Sequence, residues 1–213
     1  MNSFTIYTNR YLTQNIKGFY HTNYTGHRNI GNPDYLNDLK NTYDKPDSND
    51  AEWYKKQELN KLENAIKDLR NVLKSDLITF DKNLTVCIVP RSKAENTYSH
   101  NQLLFKKVVQ EVINQLNFQD GSNYIMRHTN TKTTHLAHTQ YGGNGSMPYV
   151  GITKDTCTIS SEVQDKDILL IDDIYTKGVN IDEDAIQALL DNGAKSVIFY
   201  AVGKTKWYIQ TIQ

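Results

Sequence analysis

Two adjacent carboxylates, Asp172 and Asp173, close the apolar run of residues 168–171 and precede a short turn, YTKGVN, at residues 175–180. Neighbouring acids raise each other's pKa and resist desolvation, so a fold gains little by setting them at the end of a buried strand. The pair asks for a ligand. From Thr176 to Asn180 the turn offers consecutive backbone N–H groups at the start of a helix, with Gly178 free to turn tightly, which is the make-up of a phosphate nest. Thr176 and Asn180 add side-chain donors, and Lys177 adds a charge. A plain structural origin competes with this reading. Asn180 followed by Glu183 is the spacing of a capping box, and Asp182, Glu183 and Asp184 suit the positive end of a helix dipole. Those acids also repel a phosphate lying close to the helix axis.

Other residues with chemical potential are more scattered. Arg91, Ser92 and Lys93 follow the run VCIVP, where two cations serve either as anion ligands or as ordinary solvated charges. His128, His135 and His138, with His21 and His27, suggest zinc. No cysteine or carboxylate cluster completes either set, which weighs against a metal centre. Cys87 and Cys157 sit among apolar or β-branched neighbours and read as buried reduced thiols. Tyr7, Tyr11, Phe19, Tyr20 and Tyr24 could stack on a base, although aromatic residues in a small lobe more often form its core.

Around these residues the chain reads as alternating strands and helices. From Glu52 onward Leu59, Leu62, Ile66, Leu69 and Leu73 recur at three- and four-residue steps, predicting one long helix with a single apolar face. The β-branched run at 84–89 predicts a strand buried on both faces. A helix over about 101–116 and a short strand near 124–127 follow. Residues 128–148 hold almost nothing that could form a core and read as a mobile functional loop. Strands at about 156–160 and 167–171, a helix over 181–191 stopped by Gly193, and a strand at 196–202 complete the pattern. The order predicts an α/β fold: a mostly parallel sheet flanked by helices. Residues 1–50, rich in Tyr, Asn, Thr and Asp and punctuated by Gly and Pro, read as an irregular or β-containing lobe, a small N-terminal cap on a core spanning 51–213.

The stretch ILLIDDIYTKGVN resembles the phosphoribosyl-pyrophosphate (PRPP) motif of type I phosphoribosyltransferases, and DAIQALLDNGAKSVIFYAV continues the likeness. With its order of strands and helices the resemblance covers roughly residues 84–203. It implies that Asp172 and Asp173 hold the 2′- and 3′-hydroxyls of the ribose, Asp173 also helping with a base proton. It further implies that Tyr175, Thr176, Lys177, Gly178, Val179 and Asn180 cradle the 5′-phosphate. Lys177 stands where a second Thr is usual, and Asn180 where Thr or Ser is usual; both remain donors. By the same resemblance Arg91, Ser92 and Lys93 bind the pyrophosphate, and loop 128–148 closes over PRPP with Arg127 and Lys132 as phosphate contacts. Mg²⁺ accompanies the substrate, near Asp172 and Asp173. Among the branches of the family the ComF-like, competence-associated proteins look closest, on the stretch MRHTNTKTTHLAH, although the segment after the first strand reads NTYSHNQ rather than their Arg-Gly-Phe-Asn.

The implied activity is transfer of a phosphoribosyl group from PRPP to a nitrogen base, with release of pyrophosphate. An alternative is a non-catalytic module that senses PRPP or a nucleotide in competence or DNA processing, motivated by Lys177 and the unusual first loop. A third reading, PRPP synthesis, needs paired domains for which this chain is short. The expected partners are PRPP and a nitrogen base or nucleotide, with a homodimer as one assembly the resemblance allows. Composition bounds the rest. The 213 residues carry 24 basic and 24 acidic side chains, so no global field points to nucleic acid or a membrane surface. The first residues lack a signal-peptide pattern and no apolar run is long enough to cross a bilayer, so the expected location is cytoplasmic.

Overall fold

The stretch DILLIDDIY forms strand β7 (Asp167–Tyr175). Ile168, Leu169, Leu170 and Ile171 are all fully buried, because helices cover both faces of the sheet and no position is left for a polar alternate. The computed structural model describes residues 1–26, 28–40, 52–131, 152 and 156–206. Its main sheet has six strands in the order β1-β2-β8-β7-β3-β4. These are β1 (Asn2–Ile6), β2 (Ile16–Tyr24), β3 (Thr85–Ile88), β4 (Gln119–Asp120), β7 and β8 (Ser196–Thr205). All neighbouring pairs are parallel except β1 with β2. Strands β5 (Ile125–Arg127) and β6 (Cys157–Ile159) form a separate antiparallel pair.

Helices α1 (Tyr35–Lys40), α2 (Glu52–Leu77) and α3 (Leu104–Gln115) cover one face, where Leu36, Leu69 and Val109 share a core with Leu169, Ile171 and Tyr200. Helix α4 (Ile181–Asp191) covers the other, packing Ala185, Ile186 and Leu189 with Ile168, Leu170 and Phe199. Burial of each such Leu or Ile contributes about 1.5–3 kcal/mol, so the two cores hold the sheet from both sides. The fold is therefore α/β with a mostly parallel sheet.

Three expectations change. The fully buried face of α2 runs through Ala65, Leu69, Leu73 and Leu77, Leu62 packs partly buried against the core, and Leu59 is exposed. Strand β7 does not stop at Ile171 but carries the acids within it, since Asp172, Ile174 and Tyr175 still pair with Ala201, Gly203 and Lys204 of β8. The segment expected as a cap supplies β1 and β2 to the same sheet as the core: β2 pairs with β8 from Gly18↔Phe199 to Tyr24↔Thr205. Ile6, Leu12 and Ile16 are buried there, which ties the segment to the core by the hydrophobic effect as well as by the ladder.

Connections leave the middle of the sheet in opposite directions. From β3 the chain passes through α3 to β4 on one side, and from β7 through α4 to β8 on the other. The loops after β3 and β7 therefore diverge, and the crevice between them is the switch point at which open α/β sheets bind ligands.

Candidate functional site

The carboxylate pair and the basic loop lie on the neighbouring strand ends that flank that switch point. Beyond the last β3 pairing, the Val89 N–H donates to the Ile171 carbonyl at 3.0 Å, which sets residues 90–93 beside the end of β7. Asp172 and Asp173 are both half-buried. The alternation of side chains changes phase across them. Leu169 and Ile171 face the α1–α3 core and Ile168 and Leu170 the α4 core, yet Ile174 packs in the first and Tyr175 in the second. At this twist Asp172 Oδ1 accepts the Asp173 N–H at 2.8 Å, so the side chain satisfies a backbone donor of its neighbour.

The following turn is a tight left-handed one. Gly178 (φ 87°) and Asn180 (φ 65°) both take positive φ, and a Cβ at Gly178 would meet nothing within 4 Å. The Val179 N–H closes the turn on the Thr176 carbonyl at 3.2 Å. Asn180 does not cap α4 with its side chain. Its amide instead donates to the Gly178 carbonyl at 2.9 Å and accepts from Asn9 Nδ2 at 3.3 Å, so the capping box expected with Glu183 is absent. Thr176 Oγ1 and Thr205 Oγ1 lie 2.7 Å apart, and Lys177 is exposed. Tyr175 contributes only backbone to the turn. Its ring packs on Phe4 and Phe199, and its hydroxyl donates to Glu183 Oε1 at 2.9 Å.

In the basic loop each side chain already organises its neighbours. Arg91 Nη1 donates to the Gln102 carbonyl at 2.6 Å and the guanidinium lies 4.7 Å from the Tyr98 ring centre. Lys93 Nζ donates to the Thr131 carbonyl at 2.8 Å, and Ser92 accepts from the Thr131 N–H at 2.7 Å. Arg127, expected on a mobile loop, is instead 6 % exposed in β5, where Nε donates to the Arg91 carbonyl at 2.7 Å. It braces the basic loop from below. Lys132 and most of the expected loop lie outside the described residues. Beneath Arg91 and Lys93 a cavity of about 50 Å³ is floored by Ile88, Val89, Phe105 and Ile125. It is far smaller than the roughly 150 Å³ that takes a benzene ring.

Two acids that sequence reasoning assigned to the helix dipole are in fact buried: Asp182 at 5 % exposed and Glu183 at 2 %. Burial, with Asp172 and Glu183 nearby, pushes the Asp182 carboxyl well above the usual range. Burial also raises Glu183, against the hydrogen bond from Tyr175. Asp184 is raised by burial as well, and accepts the Ile152 N–H at 2.6 Å. Nothing in the local sequence distinguishes these three from solvated first-turn acids. The signal lies in Tyr175, whose inward hydroxyl requires an acceptor.

Most of the remaining described candidates are engaged in contacts within the protein. His21 Nδ1 lies 3.0 Å from Asp76 Oδ2 rather than near other metal ligands, His128 pairs with Thr129, and His27, His135 and His138 lie outside the described residues. Among the described residues no group of three or more His, Cys, Asp or Glu is arranged to hold a metal ion, and no helix is long and apolar enough to cross a membrane. Cys87 and Cys157 are buried and free, and burial pushes the Cys87 thiol up to about 12, far from a reactive thiolate. Phe19 packs edge-on against Phe80 and Tyr24 donates to Asn37, whereas Tyr7 is exposed. No protein-family model matches this chain, and no curated protein does.

Proposed function

We propose that the switch-point crevice binds PRPP with Mg²⁺ and transfers its phosphoribosyl group to a nitrogen base, releasing pyrophosphate. The observation that carries this reading is the convergence of three groups on adjacent strand ends: an acid pair, a left-handed turn without a side-chain cap, and a basic loop. In this arrangement Asp172 and Asp173 accept hydrogen bonds from the ribose hydroxyls. The N–H groups of residues 176–178 and 180 face the 5′-phosphate, and Arg91 and Lys93 stand on the pyrophosphate side. Holding ribose and leaving group apart favours an oxocarbenium-like state at C1, which the incoming nitrogen then attacks.

Magnesium fits as a substrate-borne ion. It commonly takes one or two carboxylates plus phosphate oxygens, and the acid pair offers that without a three-ligand protein set. When bound, it adds positive charge to the departing pyrophosphate.

A sensing role is the second reading. It is favoured by the engagement of Arg91 and Lys93 with the Gln102 and Thr131 carbonyls, which suits a pocket that holds PRPP without turning it over. Calorimetric titration with PRPP and Mg²⁺ tests the shared site: the Asp172→Ala plus Asp173→Ala variant should bind at least about tenfold more weakly than the parent protein. Equal affinities would sink the assignment. Pyrophosphate release screened across nucleobases then separates transferase from sensor.

A further inference from the structure

The turn at residues 176–180 has little to hold its shape from within. Gly178 and Asn180 take positive φ, Asn180 gives α4 no side-chain cap, and one backbone bond, from the Val179 N–H to the Thr176 carbonyl, closes it. Such a turn keeps a single shape only when its surroundings fix where its two ends lie. Just outside it, Tyr175 ends β7 and Glu183 stands in the first turn of α4, and the Tyr175 hydroxyl donates to Glu183 Oε1 at 2.9 Å. Both residues are buried, at 3 % and 2 % exposed, and Glu183 Oε2 has no partner among the described residues. A Phe with a Leu would fill this space without the cost of desolvating a carboxyl, so stability alone explains the pair poorly. What the polar pair adds is direction, because a hydrogen bond fixes a distance and an angle that an apolar contact leaves loose.

We propose that Tyr175 and Glu183 are positioning residues: their buried hydrogen bond clasps the end of β7 to the first turn of α4 and holds the intervening turn in the shape that receives a phosphate. Both ends of the clasp are anchored. The Tyr175 ring packs on Phe4 and Phe199, with ring centres 4.9 and 5.7 Å away, and Glu183 is followed on α4 by Ala185 and Ile186, which are fixed in the core. Two further bonds steady the turn, between Thr176 Oγ1 and Thr205 Oγ1 at 2.7 Å and from Asn9 Nδ2 to Asn180 Oδ1 at 3.3 Å. The first is only part-buried and the second is exposed, so water competes for both, whereas the Tyr175–Glu183 bond is buried. That the turn receives the 5′-phosphate of PRPP rests on the PRPP reading; the clasp itself does not.

Amide hydrogen exchange in the ligand-free protein tests the clasp. Tyr175→Phe keeps the ring and removes the hydroxyl. It should quicken exchange at Val179 and Asp184, the amides bonded across the turn, about tenfold more than at Val86 and Cys87 of β3, which report global opening. Equal quickening at all four would show that the bond supports the fold as a whole, and would overturn the proposal. Glu183→Gln, which keeps an acceptor for the hydroxyl, should exchange like the parent, and Glu183→Leu like Tyr175→Phe. A Gln variant as fast as the Leu variant would also overturn it. The binding arm is calorimetry with ribose 5-phosphate and, separately, with pyrophosphate, each with Mg²⁺. Tyr175→Phe should bind ribose 5-phosphate about tenfold more weakly and pyrophosphate, which meets the basic loop, as the parent does. An equal loss for both ligands, or a loss for neither, would remove the positioning role. Should the parent protein bind neither ligand, the PRPP reading fails while exchange at the turn still decides the clasp.

Discussion

Asn180 suits its position for a conformational reason. The residue sits at φ 65°, ψ 13°, a left-handed conformation that Gly and Asn adopt readily and that a β-branched Thr resists. Placing Thr at this position should therefore harm this chain. Asn180→Thr is expected to lose about 1–2 kcal/mol in urea unfolding, and Asn180→Gly well under 1 kcal/mol. Equal losses in both would show that the side-chain bonds to Gly178 and Asn9 matter more than the backbone angle. Residue types alone suggest a candidate site at this scale, because paired acids at the end of a buried strand gain little stability there. They do not reveal direction. Tyr175 turns into the core against Phe4 and Phe199, and Arg127 under the basic loop, and each orientation depends on a neighbour distant in sequence.

Elements were legible where burial dictated composition. The run VCIV, the stripe of α3 and the apolar half of β7 can only be inside, and each forms the element its pattern implies. Strand β2 was not legible, because IKGFYHTNY is half-buried and mixes aromatic with polar residues that a loop also uses. One of those polar residues, His21, helps join three elements: Asp76 at the end of α2 accepts from Tyr200 of β8 at 3.0 Å and lies 3.0 Å from His21 Nδ1. Burial alone would raise the Asp76 pKa, but the bonds from His21 and Tyr200 outweigh it and hold the carboxyl below its usual value. A depressed folded pKa means that its contribution is present above the unfolded value near 4 and is lost as pH falls through the folded one. Asp76→Asn should thus cost about 1–3 kcal/mol at pH 7, since it weakens the acceptor of a buried Tyr hydroxyl. The gap between parent and variant in urea midpoint should narrow on acidification below pH 4. A gap that stays constant to pH 2.5 would show that the carboxylate charge contributes nothing.

For the molecule as a whole, the question is whether residues 1–24 are an accessory or part of the fold. Their composition suggests a separate lobe, since few positions are aliphatic and Tyr, Asn and Thr recur. The sheet argues otherwise. Strand β2 satisfies the outer edge of β8 along most of its length, and without it the backbone groups of Phe199 to Thr205 lose their partners on that side. Ile6, Leu12 and Ile16 are buried at 1 %, 0 % and 4 % exposure, a combined stabilisation of about 5–9 kcal/mol. That is comparable with the 5–15 kcal/mol that holds a typical domain together. The segment also reaches the candidate site, through Asn9 to Asn180 and through Thr13 to Gln187 of α4 at 2.9 Å. A protein lacking residues 1–24 should therefore show no cooperative thermal transition and little dispersion in its amide spectrum. Adding the missing segment as a peptide should restore part of the transition, because its contacts are native ones. A truncated protein that melts cooperatively within a few degrees of the full chain would make the segment a true cap, and would return the α/β core to residues 51–213.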